Sequence, residues 1–497
     1  MLLLGIDLGT SSVKVTVLDA ITQQPVASAH YPETETDIVS AQPGWAEQSP
    51  DLWWENVKQA ILTCNAANSY DTKDIGAIGI AYQMHGLVLV DKEQHVLRNS
   101  IIWCDSRAVE IGDEAFDRIG HEKCLYHLLN SPGNFTASKL AWVKTNEPAV
   151  YEKIDKVMLP GDFISMKFTG DITTTVSALS EGIFWDYRSN SISSDINNYF
   201  GFDQSLFPPV QTLFAPHGFL KETVANRLSL KAGIPVSYKA GDQPNNALSL
   251  NVLQPGEVAA TAGTSGVIYG VSNQLEYDQQ SRINSFAHIN HKAEEVRMGV
   301  LLCINGAGIF NRWVKDLVGA NRTSAELNQA ASTIKHGSDG LLALPFGNGA
   351  ERMLNNRQVG AHFQNLDFNI HTEAHLVRAA QEGIAFAFRY GLDIMRENGM
   401  HPTIIRAGKA NLFLSDVFTR SFVNATQTAI EFYDGDGSYG AALGAGIGAG
   451  FYKDVTDAFE NRKPVGWVEP GEKNASEELY GQWKIFLQEK LQTVNKQ

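Results

Sequence analysis

Cysteine, charge and long apolar runs are all scarce in this chain. Only four cysteines occur in 497 residues, at Cys64, Cys104, Cys124 and Cys303, and none forms a CxxC pair. Such spacing suits free thiols in a reducing compartment better than a disulfide scaffold. Charged residues make up 19 %, below the roughly 25 % of ordinary domains. No uninterrupted window of about 18 apolar residues occurs, so no membrane-spanning helix is expected. The start, MLLLGIDLGT, has no basic stretch and meets Asp7 too soon for a secretory signal. A soluble cytoplasmic protein is the expectation. Lysine and arginine form no long run, and 40 of them face 55 Asp and Glu, a net charge of −15. Nucleic acid and anionic membrane surfaces are therefore poor candidate partners. A polyanion as small as a nucleotide is not excluded, because local backbone geometry can outweigh net charge.

What is present is ample apolar material, 43 % of residues, enough to offset the entropy of ordering. Leu2–Asp7 and Val13–Leu18 read as strands flanking Gly9-Thr10-Ser11-Ser12, a turn of small residues. A helix is expected over about 51–65, opened by Ser49-Pro50, and strands over 75–82, 86–90 and 235–240. The opening pattern then returns. Glu257–Ala262 and Val267–Val271 flank Gly263-Thr264-Ser265-Gly266. Two α/β domains of similar plan follow from this repeat, 1–245 and 246–497, facing each other across a cleft. The long helical pattern at Glu373–Asn398 supports the α/β class. An amphipathic helix is expected at Ala475–Gln497.

A turn of Gly, Thr and Ser leaves backbone N–H groups unshielded and adds hydroxyls, so it can hold phosphate oxygens. Lys14 lies just beyond the first turn, and Asp7 at the preceding strand end could hold Mg²⁺ directly or through water. The alternative is a tight hairpin whose Ser and Thr satisfy their own backbone. Asp242, between Gly241 and Gln243, falls at a strand end, where open α/β sheets place ligands. It could accept the proton of an attacking hydroxyl, or simply cap the next helix. Gln83-Met84-His85-Gly86 could hydrogen-bond a polyhydroxylated substrate, or His85 could be a satisfied structural group. Within Trp103-Cys104-Asp105-Ser106-Arg107, Asp105 and Arg107 could clamp hydroxyls or pair with each other.

Two motif matches are set aside. Gly444–Ala449 fits the dinucleotide fingerprint literally but lacks its strand–turn–helix order, so helix packing explains it better. His371 and His375 sit four apart without a third ligand, which suits a surface helix start.

The motifs together resemble the FGGY carbohydrate kinase family over nearly the whole chain. They run in family order from GIDLGTSSVK at the start through QMHG (83–86), WCDSRA (103–108) and TASKLAWVKTNEP (136–148). PGDFISMKFTG (160–170), AGD (240–242), TAGTSG (261–266), LPFGNGAER (344–352) and YGAALGAG (439–446) complete the series. The resemblance implies two ribonuclease H-like domains of the actin, hexokinase and Hsp70 ATPase type. It implies ATP and Mg²⁺, with Asp7 on the metal side and both Gly-Thr-Ser turns around the phosphates. Asp242 would be the base, and Gln83, Met84 and His85 would line the sugar. Gly408-Lys409-Ala410-Asn411 would form the adenine turn, with less glycine than the family usually has there. The implied reaction phosphorylates the 5-hydroxyl of D-xylulose, with glycerol, L-ribulose or gluconate as alternative acceptors, since Gln243 replaces the asparagine usual in the ketopentose branch. A sugar-independent ATPase of the same fold is the reading from another class. The expected partners are thus small molecules, with a homodimer as the expected assembly.

Overall fold

The computed structural model describes every residue except 320, 321, 461, 472 and 495–497. Two sheets form its frame. In the first, β1 (Leu2–Leu8), β2 (Val13–Asp19) and β3 (Pro25–Tyr31) make an antiparallel meander. β4 (Ile75–Tyr82) then pairs parallel to β1, and β5 (Val236–Gly241) parallel to β4. The spatial order is therefore β3-β2-β1-β4-β5. β1, β4 and β5 are buried almost throughout. That is why they read as continuous apolar runs rather than alternating ones.

The second sheet repeats this plan. β6 (Glu257–Ala262) and β7 (Gly266–Ser272) form the hairpin, and β9 (Met298–Ile304) pairs antiparallel to β7. β10 (Ile404–Gly408) lies parallel to β6, and β11 (Ile430–Tyr433) parallel to β10. The edge strands β8 (Asn284–Ala287) and β12 (Gly466–Val468) are additions without counterparts in the first sheet. The repeated Gly-Thr-Ser turn is thus one visible part of a repeated topology.

Helix α1 (Pro50–Ala66) starts where expected, with the Ser49 hydroxyl accepting from the Leu52 N–H and Pro50 in the first turn. It covers one face of the first sheet through Trp53, Val57 and Ile61. The other face is covered from far along the chain, by α8 (Gly437–Gly448), which lies against β1, β4 and β5. Its approach is backbone to backbone. A methyl added at Gly5 would run into the Ser438 carbonyl, and one at Gly79 into that of Ala441. The fingerprint-like glycines are a packing face as well: a methyl at Gly444 would meet the Tyr238 ring and one at Gly448 the Ser237 carbonyl. His371 accepts from the Asp367 N–H and His375 from the Thr372 N–H, both at the start of α6 (Glu373–Glu397).

Residue 245 lies inside α3 (Asp242–Ser249), and segment 250–256 leads from it to β6. Strand 86–90 is shorter than expected, Val88–Val90, with Leu87 joined to Ile101 only by an isolated bridge. The C-terminal helix runs Lys473–Val494, and the end of the expected stretch, 495–497, lies outside the described residues. Among the described residues, no helix is long and apolar enough to cross a membrane.

Candidate active site

Register brings the sequence candidates to one edge. Asp7 in β1 is level with Ala81 in β4, and Ala81 with Ala240 in β5. The chain emerging from these three parallel carboxyl ends delivers Asp7, Gln83–His85 and Asp242 to the same crevice, the usual ligand position in such sheets. Asp242 opens α3 directly after β5.

Burial dominates the electrostatics here. It raises the Asp242 carboxyl to about 7, with the nearby Asp7 charge adding to the effect and the Gln243 N–H opposing it. Asp7 is raised to about 6, again chiefly by burial, then by Asp436, with Lys14 working the other way. Lys14 stands 4.0 Å from Asp436, and both side chains are about half exposed. A carboxyl poised near neutrality beside a second one is the arrangement expected of a catalytic base.

The first turn is held by a polar network. Gly9 N–H bonds the Ser12 carbonyl at 3.1 Å. The indole of Trp103, 53 % exposed on the rim, donates to Thr10 Oγ1 at 2.9 Å, and Thr10 donates to Gln83 Oε1 at 3.2 Å. Gln83 in turn donates to Gln48, which donates to the Thr10 carbonyl. Gln83 is buried with both ends of its amide engaged, so it ties the end of β4 to the first Gly-Thr-Ser turn. Ser11 lies exposed at the tip.

His85 has φ +64°, and its Nδ1 meets the backbone carbonyl of Glu181 at 2.9 Å. That contact requires a proton on Nδ1 and leaves Nε2 as an acceptor. Burial lowers the imidazole to about 3, with Lys139 assisting, so His85 is neutral. Lys139 is itself buried and lowered to about 7 by that burial, and its ammonium donates to the carbonyls of His85 and Ile102 at 3.0 Å. Glu181 lies 4.0 Å from Nδ1 but burial raises its pKa well above the ordinary value, so the two form no ion pair. Met84 is in the core, its Cγ against Gly241.

Asp105 and Arg107 correct the expectation of a hydroxyl clamp. Arg107 binds Asp105 through two nitrogens and Glu47 through a third, and its guanidinium lies 3.8 Å from the Trp45 ring. Their side chains are 0 % and 1 % exposed. Nothing is left to meet a ligand. The pair instead braces the loop that carries Trp103.

In the second half, the Gly263–Gly266 turn borders a cavity of about 560 Å³. Asn411 lines it too, whereas Gly408, Lys409 and Ala410 lie beside it, Lys409 and Ala410 exposed. Residues the sequence did not single out complete the wall: Asn311, Arg312 and Lys315 on α4 (Ala307–Val318), and Asn328. The α4 start packs on the turn, with Ile309 N–H bonding the Thr264 carbonyl at 3.0 Å. Their signal was only an amphipathic helix following a strand, which carries no motif. Ser265 and Gly266 continue into β7.

Two lobes of repeated topology, raised carboxyls in the crevice and a small-residue turn in each lobe fit a phosphoryl-transfer enzyme of the actin-like ATPase fold. Comparisons narrow this further. Residues 2–249 match the N-terminal domain and 258–449 the C-terminal domain of the FGGY family of carbohydrate kinases, and the chain belongs to that family. It is 30 % identical to the xylulose kinase of Escherichia coli (strain K12) over 446 residues, 89 % of this chain and 88 % of that protein. A crystal structure of xylulose kinase from Rhodospirillum rubrum superposes with TM-score 0.87 at 25 % identity, covering 98 % of both chains. A gluconate kinase structure from Lactobacillus acidophilus shares the fold, with TM-score 0.89 at 20 % identity and 99 % of both chains covered.

Proposed function

We propose that the protein transfers the γ-phosphoryl group of ATP to the 5-hydroxyl of D-xylulose, giving D-xylulose 5-phosphate and ADP. The observation that carries this reading is the juxtaposition of Asp242, poised near neutrality, with a neutral His85 whose Nε2 is an open acceptor. His85 and the rim indole of Trp103 hold the acyclic sugar, and the Asp242 carboxylate receives the proton of its terminal hydroxyl. As the oxygen–phosphorus bond forms, the bond from the γ-phosphorus to the bridging oxygen of ADP breaks. The transition state is loose, so positioning and charge stabilisation supply most of the rate. Gly9–Ser12 and Gly263–Gly266 cradle the phosphates from opposite lobes, with the adenosine in the 560 Å³ cavity.

The donor set suits Mg²⁺. Asp436 repels Asp7 and Asp7 repels Asp242, with Lys14 countering at Asp7, and no cluster of three ligating side chains occurs among the described residues. Magnesium takes few carboxylates and fills its shell with water and phosphate oxygens, so Asp7 would hold it. When bound, it would neutralise charge on the transferring phosphoryl group.

Gln243, next to the base, favours a polyol such as glycerol as the second reading. A coupled ADP-release assay with D-xylulose, L-ribulose, glycerol and gluconate decides between them. The expected result is highest kcat/KM for D-xylulose. Preference for another acceptor overturns the sugar assignment, and ATP hydrolysis that no acceptor stimulates overturns the kinase reading.

A further inference from the structure

The sugar side of the crevice contains a guanidinium with no counter-charge in contact. Arg352 follows Glu351 in the loop joining strands Leu342–Phe346 and Gly360–Gln364 of the second lobe. The backbone on both sides is pinned. Glu351 accepts from the N–H groups of Asn305 and Gly306 at 3.0 Å, and Met353 and Leu354 are buried in the second-lobe core. The side chain therefore leaves a fixed point and crosses towards the first lobe. Its guanidinium carbon lies 5.8 Å from the centre of the Phe135 ring, which stands edge-on to His85 at 4.9 Å.

Other enclosed arginines have acceptors: Arg107 holds Asp105, Arg389 holds Asp393 and Arg406 holds Glu431, while Arg462 donates to the carbonyls of Ser249 and Asp434. Among the described residues, Arg352 has neither an ion pair nor a hydrogen-bond acceptor for its side chain. Burial lowers its pKa, with the fields of Cys303 and Asp113 opposing. Cys303, in turn, feels both Arg352 and Asp242, so the guanidinium and the base act on one space. A guanidinium stays charged and offers five donors, and with the Arg352 side chain part-exposed those donors are available to a ligand that brings acceptors.

We propose that Arg352 is the second lobe's contact to the acceptor sugar, its planar fork donating to sugar oxygens across the crevice. This rests on the kinase reading above. Trp103, His85 and Asp242 belong to the first lobe, so a sugar bound to them and to Arg352 bridges the lobes. Sugar binding and lobe closure become one event, and water is excluded only when a sugar is present.

The test is steady-state kinetics of R352Q and R352K with the best acceptor of the wild-type panel, alongside thermal unfolding. Loss of a charged hydrogen-bond donor predicts a sugar KM raised about 10- to 100-fold, with the KM for ATP within about twofold. R352K keeps a point charge but not the fork, so an intermediate rise is expected. Methylguanidinium added to R352A should restore part of kcat/KM, which a purely structural role would not allow. Small-angle scattering with sugar and a non-hydrolysable ATP analogue should show compaction in the wild type and not in R352Q. Sugar KM unchanged in both R352Q and R352K overturns the proposal, as does an equal rise for ATP. A wild-type protein that accepts no sugar removes the kinase reading and this inference together.

Discussion

Replacing Asp242 by asparagine should remove nearly all turnover and make the ligand-free protein more stable. The two effects share a cause. Burial, helped by the Asp7 charge, raises the Asp242 carboxyl from the usual 3.8 to about 7. The folded state thus prefers the protonated form more than the unfolded chain does. The stability from that preference is complete below the unfolded pKa and is lost as pH rises through the folded one. About three pKa units at about 1.4 kcal/mol each sets a ceiling of about 4 kcal/mol. Asp242 is only partly buried in an open crevice, so solvent screening should leave about 1–2 kcal/mol. Asparagine cannot ionise and escapes that loss. The Tm of Asp242→Asn, without nucleotide or metal, should therefore exceed the wild-type Tm at pH 8 by roughly 3–6 °C. The gain should shrink towards zero near pH 4. Loss of a positioned base should lower kcat by about 10²- to 10⁴-fold. In the wild type, kcat/KM should rise with pH towards a plateau above about 7, because the free enzyme's base must be ionised. Differential scanning calorimetry and the ADP-release assay read both effects. A Tm gain of equal size at pH 4 and pH 8, or more than about a tenth of wild-type kcat, would refute the reasoning.

Asp7→Ala should abolish activity at ordinary Mg²⁺ and recover only in part at high Mg²⁺; a magnesium titration checks this, and unchanged activity removes Asp7 from the site. His85→Ala should raise the sugar KM about tenfold while leaving the KM for ATP nearly unchanged; the reverse pattern places the imidazole elsewhere. Gly79→Ala adds a methyl that must displace the Ala441 carbonyl of α8, so urea denaturation should show a loss of about 1–3 kcal/mol or more from overpacking. An unchanged midpoint would mean that α8 does not press on the first sheet.

The elements legible in the sequence were those whose signal is local. Ser49-Pro50 marks a helix start because its hydroxyl and fixed φ act within one turn. Gly9–Ser12 and Gly263–Gly266 stand out because only small residues make such turns, and the strands beside them are apolar because both faces are covered. Asp105 and Arg107 were ambiguous because their fate depends on Glu47 and Trp45, which no spacing rule brings to them. Asn311, Arg312 and Lys315 were invisible because a helix lining a cavity has no short motif. Arg352 stood within a recognised motif, yet its lack of a partner appears only when Phe135 and His85 are placed beside it. The return of α8 to the first sheet was equally hidden. Gly5, Gly79 and Gly448 are scattered along the chain, and only the close approach of α8 to the first sheet explains them.

The acidic balance of the chain takes on a local meaning at the crevice. The carboxyls cluster where β1 and β5 end, joined by Asp436 just before α8; Asp436 raises the proton affinity of Asp7, and Asp7 that of Asp242. The second lobe supplies cationic side chains: Arg312 and Lys315 on the cavity wall, and Arg352 facing Phe135. Neither wall alone suits a sugar and a polyphosphate together. The acid wall needs a cation before phosphate can approach, and the guanidinium's donors need oxygen acceptors. On the proposed reading, metal-bound nucleotide satisfies the first need and the sugar the second. Closure is then favourable only with both substrates present, which is the condition for phosphorylating a sugar rather than water.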